Sequence, residues 1–341
     1  MGDKTGIEWT DATWNPIRGC SRVSEGCRNC YAEGVAKSFS GQGMPYEGLI
    51  AKGGQWNGKV RVVDSVFDQP LRWVKPRRIF VNSMSDLFHE DVSFDVIAMI
   101  FSIMSVTTRH TYQILTKRPE RMLAFFEWAC DGLDYPFKIA DAWPPGLAWK
   151  PAGHGRGGYD NCGPNWPFEN VWLGVSVEDQ ATADARIPLL LEAPAAVRWI
   201  SAEPLLGAIS FEGMWVEFEN IAIHQNMLEA LDWVVVGGES GPRARPMHPD
   251  WPRTLRDQCE AAGVPFLFKQ WGEWAPRGPA VMGYPSVEGV LRIRLTDLGE
   301  NGSDLGAEGD NHAWMQRIGK KAAGRLLDGV LHDAYPGVAN V

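Results

Sequence analysis

The stretch TYQILTKRPERMLAFFEWAC, residues 111–130, joins a short apolar run to a helical pattern through a basic turn. Its first part, TYQILT at 111–116, is rich in β-prone and apolar side chains, as suits a parallel strand buried on both faces. Pro119 then opens PERMLAFFEWAC at 119–130. Proline is at home at a first helical position, where its missing N–H would have had no partner. The same rhythm recurs on either side. RIFVNS at 78–83, VWLGVS at 171–176, VRWIS at 197–201, WVVVGG at 233–238 and PFLFKQ at 265–270 read as strands. VSFDVIAMIFSIMSV at 92–106, DQATADARIPLLLEA at 179–193 and PDWPRTLRDQCEAAG at 249–263 read as the helices between them.

Alternation of this kind predicts an α/β protein with a parallel sheet. A further strand near Thr13–Arg18 brings the number to seven, so the expected fold is a full or partial (β/α) TIM-type barrel with long loop insertions. An open doubly wound sheet is the alternative. No G-x-G-x-x-G follows a strand, which removes the dinucleotide fingerprint of that sheet and favours the barrel. The barrel is expected over residues 1–275, interrupted at 37–70 and 131–169. A C-terminal extension, 276–341, is expected to pack on it, carrying a hairpin-like VLRIRLTD, an acidic Gly-rich tract, a short helix and a DG turn.

The formal charge of −9 argues against broad phosphate binding, which needs a basic face. A local basic groove is still open, because Lys75, Arg77 and Arg78 precede one strand, Lys117, Arg118 and Arg121 follow another, and Arg243 and Arg245 follow a third. Sixteen tryptophans are unusual. Several adjoin proline or glycine (Trp14, Trp143, Trp166, Trp251, Trp271, Trp274), where they would staple loops to the body. No run of eighteen apolar residues exists, so no membrane partner is expected. The opening MGDKTGIEWTD carries no apolar signal, which points to a reducing cytoplasm and away from disulfides.

Against that background three cysteines stand out, Cys20, Cys27 and Cys30 in GCSRVSEGCRNCYAE. Three thiolates leave one position open on a metal centre that prefers four protein ligands. An iron–sulfur cluster so held can bind a small molecule at its free iron. A structural zinc with a distant fourth ligand, for instance Cys162 or His89, is the main alternative, and inert buried thiols are another.

In a (β/α) barrel the chemistry sits at the C-terminal ends of the strands. Those ends carry Asn82, Ser83 and Asp86; Lys117 and Arg118; Ser176 and Glu178; Glu203; Gly237, Gly238 and Glu239; and Lys269. Lys117 and Arg118 suit a carboxylate or phosphate. Glu178 and Glu203 would accept ribose hydroxyls or pair with Lys117 and Lys269. Gly237 and Gly238 let backbone approach a ligand, with Glu239 accepting from an amino group. Asp86 would cap the next element.

The stretches TGIEWTDATWNPIRGCSRVSEGCRNCYAE, RIFVNSMSDLFHEDV, QILTKRPERM, VWLGVSVEDQ, RWISAEPLLG, DWVVVGGESGPRARPMHPDW, FLFKQWGEW and GKKAAGRLLDG carry a resemblance. The chain resembles the radical S-adenosylmethionine superfamily. More closely, it is similar to a phage- and prophage-associated family of three-cysteine proteins of unknown function. The resemblance implies a [4Fe–4S] cluster on Cys20, Cys27 and Cys30, with S-adenosyl-L-methionine on the fourth iron. Reduction by an external electron donor would release a 5′-deoxyadenosyl radical, acting on a nucleobase or nucleotide, in DNA for instance. Asn82, Ser83, Lys117, Ser176, Glu178, Glu203, Gly237, Gly238 and Glu239 are then the candidate cofactor-binding residues. The rival reading is a non-catalytic, metal-stapled module that binds nucleic acid or protein through its Trp-rich loops.

Overall fold

The structure is a computed structural model, and it describes residues 5–133, 136–147, 166–218, 221–278, 284, 286–296 and 312–337. Much of the expected insertion at 131–169, Cys162 included, lies outside them.

Seven parallel strands make the main sheet: β1 (Ala12–Trp14), β2 (Arg78–Val81), β3 (Thr111–Thr116), β4 (Val171–Ser176), β5 (Val197–Ala202), β6 (Trp233–Gly237) and β7 (Phe266–Gln270). They lie in chain order, each beside its predecessor. A doubly wound sheet reverses its strand order at a switch point, and none occurs here. Nor do β1 and β7 pair with each other among the described residues. The fold is the partial form of the expected (β/α) arrangement. Strands β4 and β6 are buried along their whole length, matching their near-continuous apolar sequences.

Helices α1 (Tyr31–Ser38), α2 (Phe94–Val106), α3 (Pro119–Cys130), α4 (Gln180–Glu192) and α5 (Asp250–Ala262) lie between the strands. Their ends follow local chemistry. Ser93 accepts from the Val96 N–H at the start of α2, and Pro119 opens α3. Gly263, at φ 69°, closes α5 while the Val264 N–H returns to the Cys259 carbonyl at 2.9 Å.

The expected first strand is broken at Asn15-Pro16, because proline has no N–H for a ladder. Its remainder, Ile17–Arg18, pairs antiparallel with Arg61–Val62. The hairpin-like VLRIRLTD is not a hairpin in itself. After β8 (Trp274–Pro276), its strand β9 (Arg292–Thr296) pairs with β10 (His312–Arg317), which also pairs with β8. Trp215–Phe218 and Ile221–Asn226 form a hairpin that was not expected.

The chain divides into two compact units: residues 1–23, 32–175 and 192–198 in one, and 24–31, 176–191 and 199–341 in the other. In the first, Trp14 staples a loop by donating Nε1–H to the Val66 carbonyl at 2.8 Å. In the second, Trp271 does so to Leu326 at 2.8 Å and Trp274 to Ala244 at 2.7 Å.

The expected DG turn is present in the second unit. Asp328 (φ 54°) and Gly329 (φ 80°) join two antiparallel two-residue strands, with positive φ at both positions as a type I′ turn requires. The Asp328 carboxylate is also the anchor for Arg253 and Arg256 at 2.6 and 2.9 Å. Burial works to raise its pKa, but these arginines outweigh burial and hold it at about 2. A carboxylate with a depressed folded-state pKa stabilises above its unfolded value and loses that contribution as pH falls through the folded one. Asp328→Asn, which keeps an αL-tolerant side chain, is expected to cost about 2 kcal/mol at pH 7. In urea melts the gap to wild type should close between pH 3.8 and about 2. A gap that persists at pH 2 would contradict the assignment.

Candidate functional site

The cysteine loop begins soon after the C-terminal end of β1. Cys20, Cys27 and Cys30 are in no disulfide and are partly exposed. The loop is divided between the two units, residues through Val23 going with the first and Ser24–Tyr31 with the second.

In the first unit, Cys20 is held by a buried arginine. Arg118, 8 % exposed at the end of β3, directs Nη1 at Cys20 Sγ (3.9 Å) and at Asp86 Oδ2 (3.0 Å). Its Nε donates to Glu90 at 2.9 Å, and its Nη2 to Ser21 Oγ at 2.7 Å and the Ser21 carbonyl at 3.2 Å. Burial alone would lower the Arg118 pKa, but Asp86, Cys20 and Glu90 together raise it, so the guanidinium stays charged. Asp86 does far more than cap. Its carboxylate also accepts from the Phe88 N–H, the Thr116 hydroxyl and the Lys117 N–H at 3.0, 2.8 and 3.1 Å.

His89 completes this cluster. Its Nδ1 accepts from the Asp91 N–H at 3.1 Å, which leaves Nε2 to donate to Ser21 Oγ at 2.9 Å. Burial, then Arg118, lowers its pKa, so the ring is neutral. With both nitrogens engaged, His89 is poorly placed as a fourth zinc ligand. Cys259 is unsuited to ligation too, since burial pushes its thiol up to about 12.

Asn82 and Ser83 follow β2 in the same unit. Asn82 is in the left-handed region (φ 58°) and 4 % exposed; its Oδ1 accepts from the Ile17 N–H at 3.4 Å, while Nδ2 has no partner among the described residues. Ser83 Oγ donates to Asn15 Oδ1 at 3.1 Å. Lys117 is half-buried beside Arg118.

In the second unit, Glu178 lies directly under the loop. It accepts from Ser24 Oγ at 2.8 Å and from Arg186 Nη1 at 3.0 Å. A Cβ on Gly26 would come within 2.3 Å of its Oε1, so only glycine lets the turn Glu25–Cys27 settle there. Ser24 Oγ is also 3.9 Å from Cys27 Sγ. Glu239 grips the loop further along. It accepts from Asn29 Nδ2 at 3.0 Å and from Arg245 at 2.7 Å through both the main-chain N–H and Nη2. Burial would raise its pKa, yet Arg245 and Asn29 bring it below the usual carboxylate range. Arg245 itself returns to the Glu25 carbonyl at 2.9 Å.

The remaining candidates form a second polar group in this unit. Glu203 pairs with Lys269 at 3.1 Å, as one of the two sequence readings had it, and accepts from Ser201 at 3.0 Å. Ser176 Oγ donates to the Glu203 carbonyl at 3.1 Å. Gly237 gives Glu203 its space, as a Cβ there would sit 2.4 Å from Oε1. Gly238 packs against the backbone of Trp271. Glu178 pairs with Arg186 at 3.0 Å.

The sequence reading placed the acids and glycines but missed Arg186, Ser24, Asn29 and the structural role of Ser21. The signal was faint: hydroxyl and amide side chains within GCSRVSEGCRNC, beside cysteines that drew the attention. The expected basic groove is not found at Arg118 and Arg245, whose charges are spent on carboxylates of their own units.

As a ligand set, the three thiols suit an iron–sulfur cluster in type. Among the described residues, however, no three His, Cys, Asp or Glu side chains are gathered into a metal-ligating group.

Residues 4–336 match the family described as a protein of unknown function (DUF5131). The chain belongs to that family. No curated protein matches it. Among solved structures, a spore photoproduct lyase variant is similar at 11% identity and a TM-score of 0.38, over 70% of this chain and 58% of that one. A Cys-to-Ala variant of the lyase with a dinucleoside spore photoproduct gives 11% identity and 0.39, over 76% and 63%. The chain thus spans less than two thirds of the lyase chains. At TM-scores this low, the likeness fixes neither substrate nor cofactor for the DUF5131 chain. Among its described residues no helix is long and apolar enough to cross a membrane.

Proposed function

We propose that this DUF5131 protein is a radical S-adenosylmethionine enzyme whose cluster is held by Cys20, Cys27 and Cys30. The observation that carries the reading is the loop itself: three thiols outside any disulfide within eleven residues, its first part held by Arg118 with Asp86 and its later part by Arg245 with Glu239. A thiol loop needed only for packing has no use for a charged donor at Cys20 Sγ, whereas cluster sulfurs are tuned by such donors. The bound cluster and S-adenosyl-L-methionine would supply one-electron cleavage and hydrogen abstraction. The chain's own part is to hold the loop. Arg118 fixes Cys20, Glu178 and Ser24 fix the turn before Cys27, and Glu239 with Arg245 fixes Asn29 beside Cys30. Asn82, Ser83, Lys117, Ser176 and Glu203 remain the cofactor-binding candidates, and a nucleobase or nucleotide is the substrate class.

Anaerobic reconstitution should give about four irons and four sulfides per chain. Reduction with S-adenosyl-L-methionine should then release 5′-deoxyadenosine. Cys27→Ala should lose iron and cleavage together while keeping the far-UV spectrum of the wild type. One zinc per chain with no cleavage would establish the metal-stapled module instead.

A further inference from the structure

The three-stranded sheet β8–β10–β9 carries a feature unconnected with the cysteines. Residues directly opposite one another in an antiparallel pair present their side chains on one face. Trp314 on β10 lies opposite Arg294 on β9. On the other flank, the Arg277 N–H donates to the Trp314 carbonyl at 2.7 Å, and Arg277 continues β8 in register beside it. The three residues make a row across the sheet, Arg277–Trp314–Arg294, with neighbouring strands about 4.8 Å apart. The opposite face holds the buried Met315 and Leu295.

Trp314 is 49 % exposed, against 5 % for Trp274 on β8 and 1 % for Trp271 just before it. Most indoles of the described residues are buried, and this ring, like Trp215 at 55 %, departs from that. Neither arginine makes an ion pair among the described residues, and neither lies over the Trp314 ring. Further along the same chain segment, Lys320 and Lys321 are exposed and also make no ion pair among the described residues. Other arginines of this acidic protein are engaged, Arg118, Arg186 and Arg245 by carboxylates and Arg109 and Arg121 by main-chain carbonyls. An exposed indole flanked by two arginines that make no ion pair among the described residues, Arg277 giving only Nε–H to Ser286 Oγ at 2.9 Å, has the composition of a stacking platform for an unpaired base, with phosphates on the flanking guanidinium groups.

We infer that the β8–β10–β9 face binds single-stranded nucleic acid, a base stacking on Trp314 and phosphates resting on Arg277 and Arg294. A duplex keeps its base faces stacked inside and offers the indole nothing to cover. The inference extends the nucleotide substrate class proposed above but needs no cluster. Binding that rests on phosphate contacts is expected to weaken with salt.

The test is fluorescence anisotropy of a labelled 15-nucleotide single strand with the full-length protein, at low and at physiological salt. Wild type and Cys27→Ala should bind alike, which separates this result from the fate of the cluster. Trp314→Ala should weaken binding by at least about fivefold, and Trp314→Phe should recover part of it. Arg277→Ala with Arg294→Ala should lower the slope of log affinity against log salt by about 1.4. The corresponding duplex should bind more weakly than the strand. No binding by wild type at low salt would overturn the inference. So would unchanged affinity in Trp314→Ala and the double arginine variant, or equal competition by a polyglutamate peptide, which would reduce the face to a simple charge sink.

Discussion

Arg118→Ala is expected to lower folding stability by about 3–5 kcal/mol and to prevent iron loading at Cys20. The magnitude follows from what the guanidinium leaves behind. Asp86 is only 8 % exposed at its side chain and would lose its one charged partner, keeping neutral donors that cannot balance a buried carboxylate. Glu90, now near pKa 2 despite the upward effect of burial, would lose a partner as well, but it is largely exposed and adds little. Arg118→Lys should rescue charge without geometry, because one ammonium cannot serve Asp86, Glu90, Ser21 and Cys20 together. Its stability should fall between the other two and its iron content should stay low. Urea unfolding of the metal-free protein reads the first effect and iron analysis after reconstitution the second. A metal-free Arg118→Ala protein within about 1 kcal/mol of wild type would sink the argument.

The second large effect is expected at Gly238→Ala. A Cβ there would stand 2.0 Å from the Trp271 carbonyl oxygen and 2.7 Å from its carbon, both main-chain atoms that cannot swing aside. The contact is reciprocal, since a Cβ on Gly272, itself at φ 84°, would meet the Glu239 carbonyl oxygen at 2.1 Å. The segments that follow β6 and β7 are thus locked face to face through two glycines. Either alanine should cost about 3 kcal/mol or more, and the double variant less than the sum, because one lock is broken once. The displacement also reaches the cysteine loop through Glu239 and Asn29. Trypsin should then cleave after the exposed Arg28 faster than in wild type. Unchanged cleavage at Arg28 together with an unchanged melting curve would show that the lock is slack.

Helix α3 and strands β3 and β4 have the bounds expected from sequence, because apolar periodicity and a proline at the helix entry are local signals. The hairpin Trp215–Phe218 with Ile221–Asn226 escaped notice, since two short strands outside the main sheet lack the continuous apolar run that marked the others. At the site, residue types were legible and partners were not. Asp86 and Arg118 are 32 residues apart and meet only because β2 and β3 are neighbours. The same holds for Ser24 with Glu178, which are 154 residues apart.

The sequential order of the seven strands also bears on how the chain is made. From β2 onward, every strand adds to one synthesised before it, so the sheet can grow on the ribosome without awaiting distant sequence. The cysteines run against this schedule. They leave the ribosome before Glu178, Glu239 and Arg245, which fix residues 24–30. Cys20 can be clamped once Arg118 is made, but Cys27 and Cys30 wait for Glu178, Glu239 and Arg245, and metal delivery belongs after those residues have been synthesised.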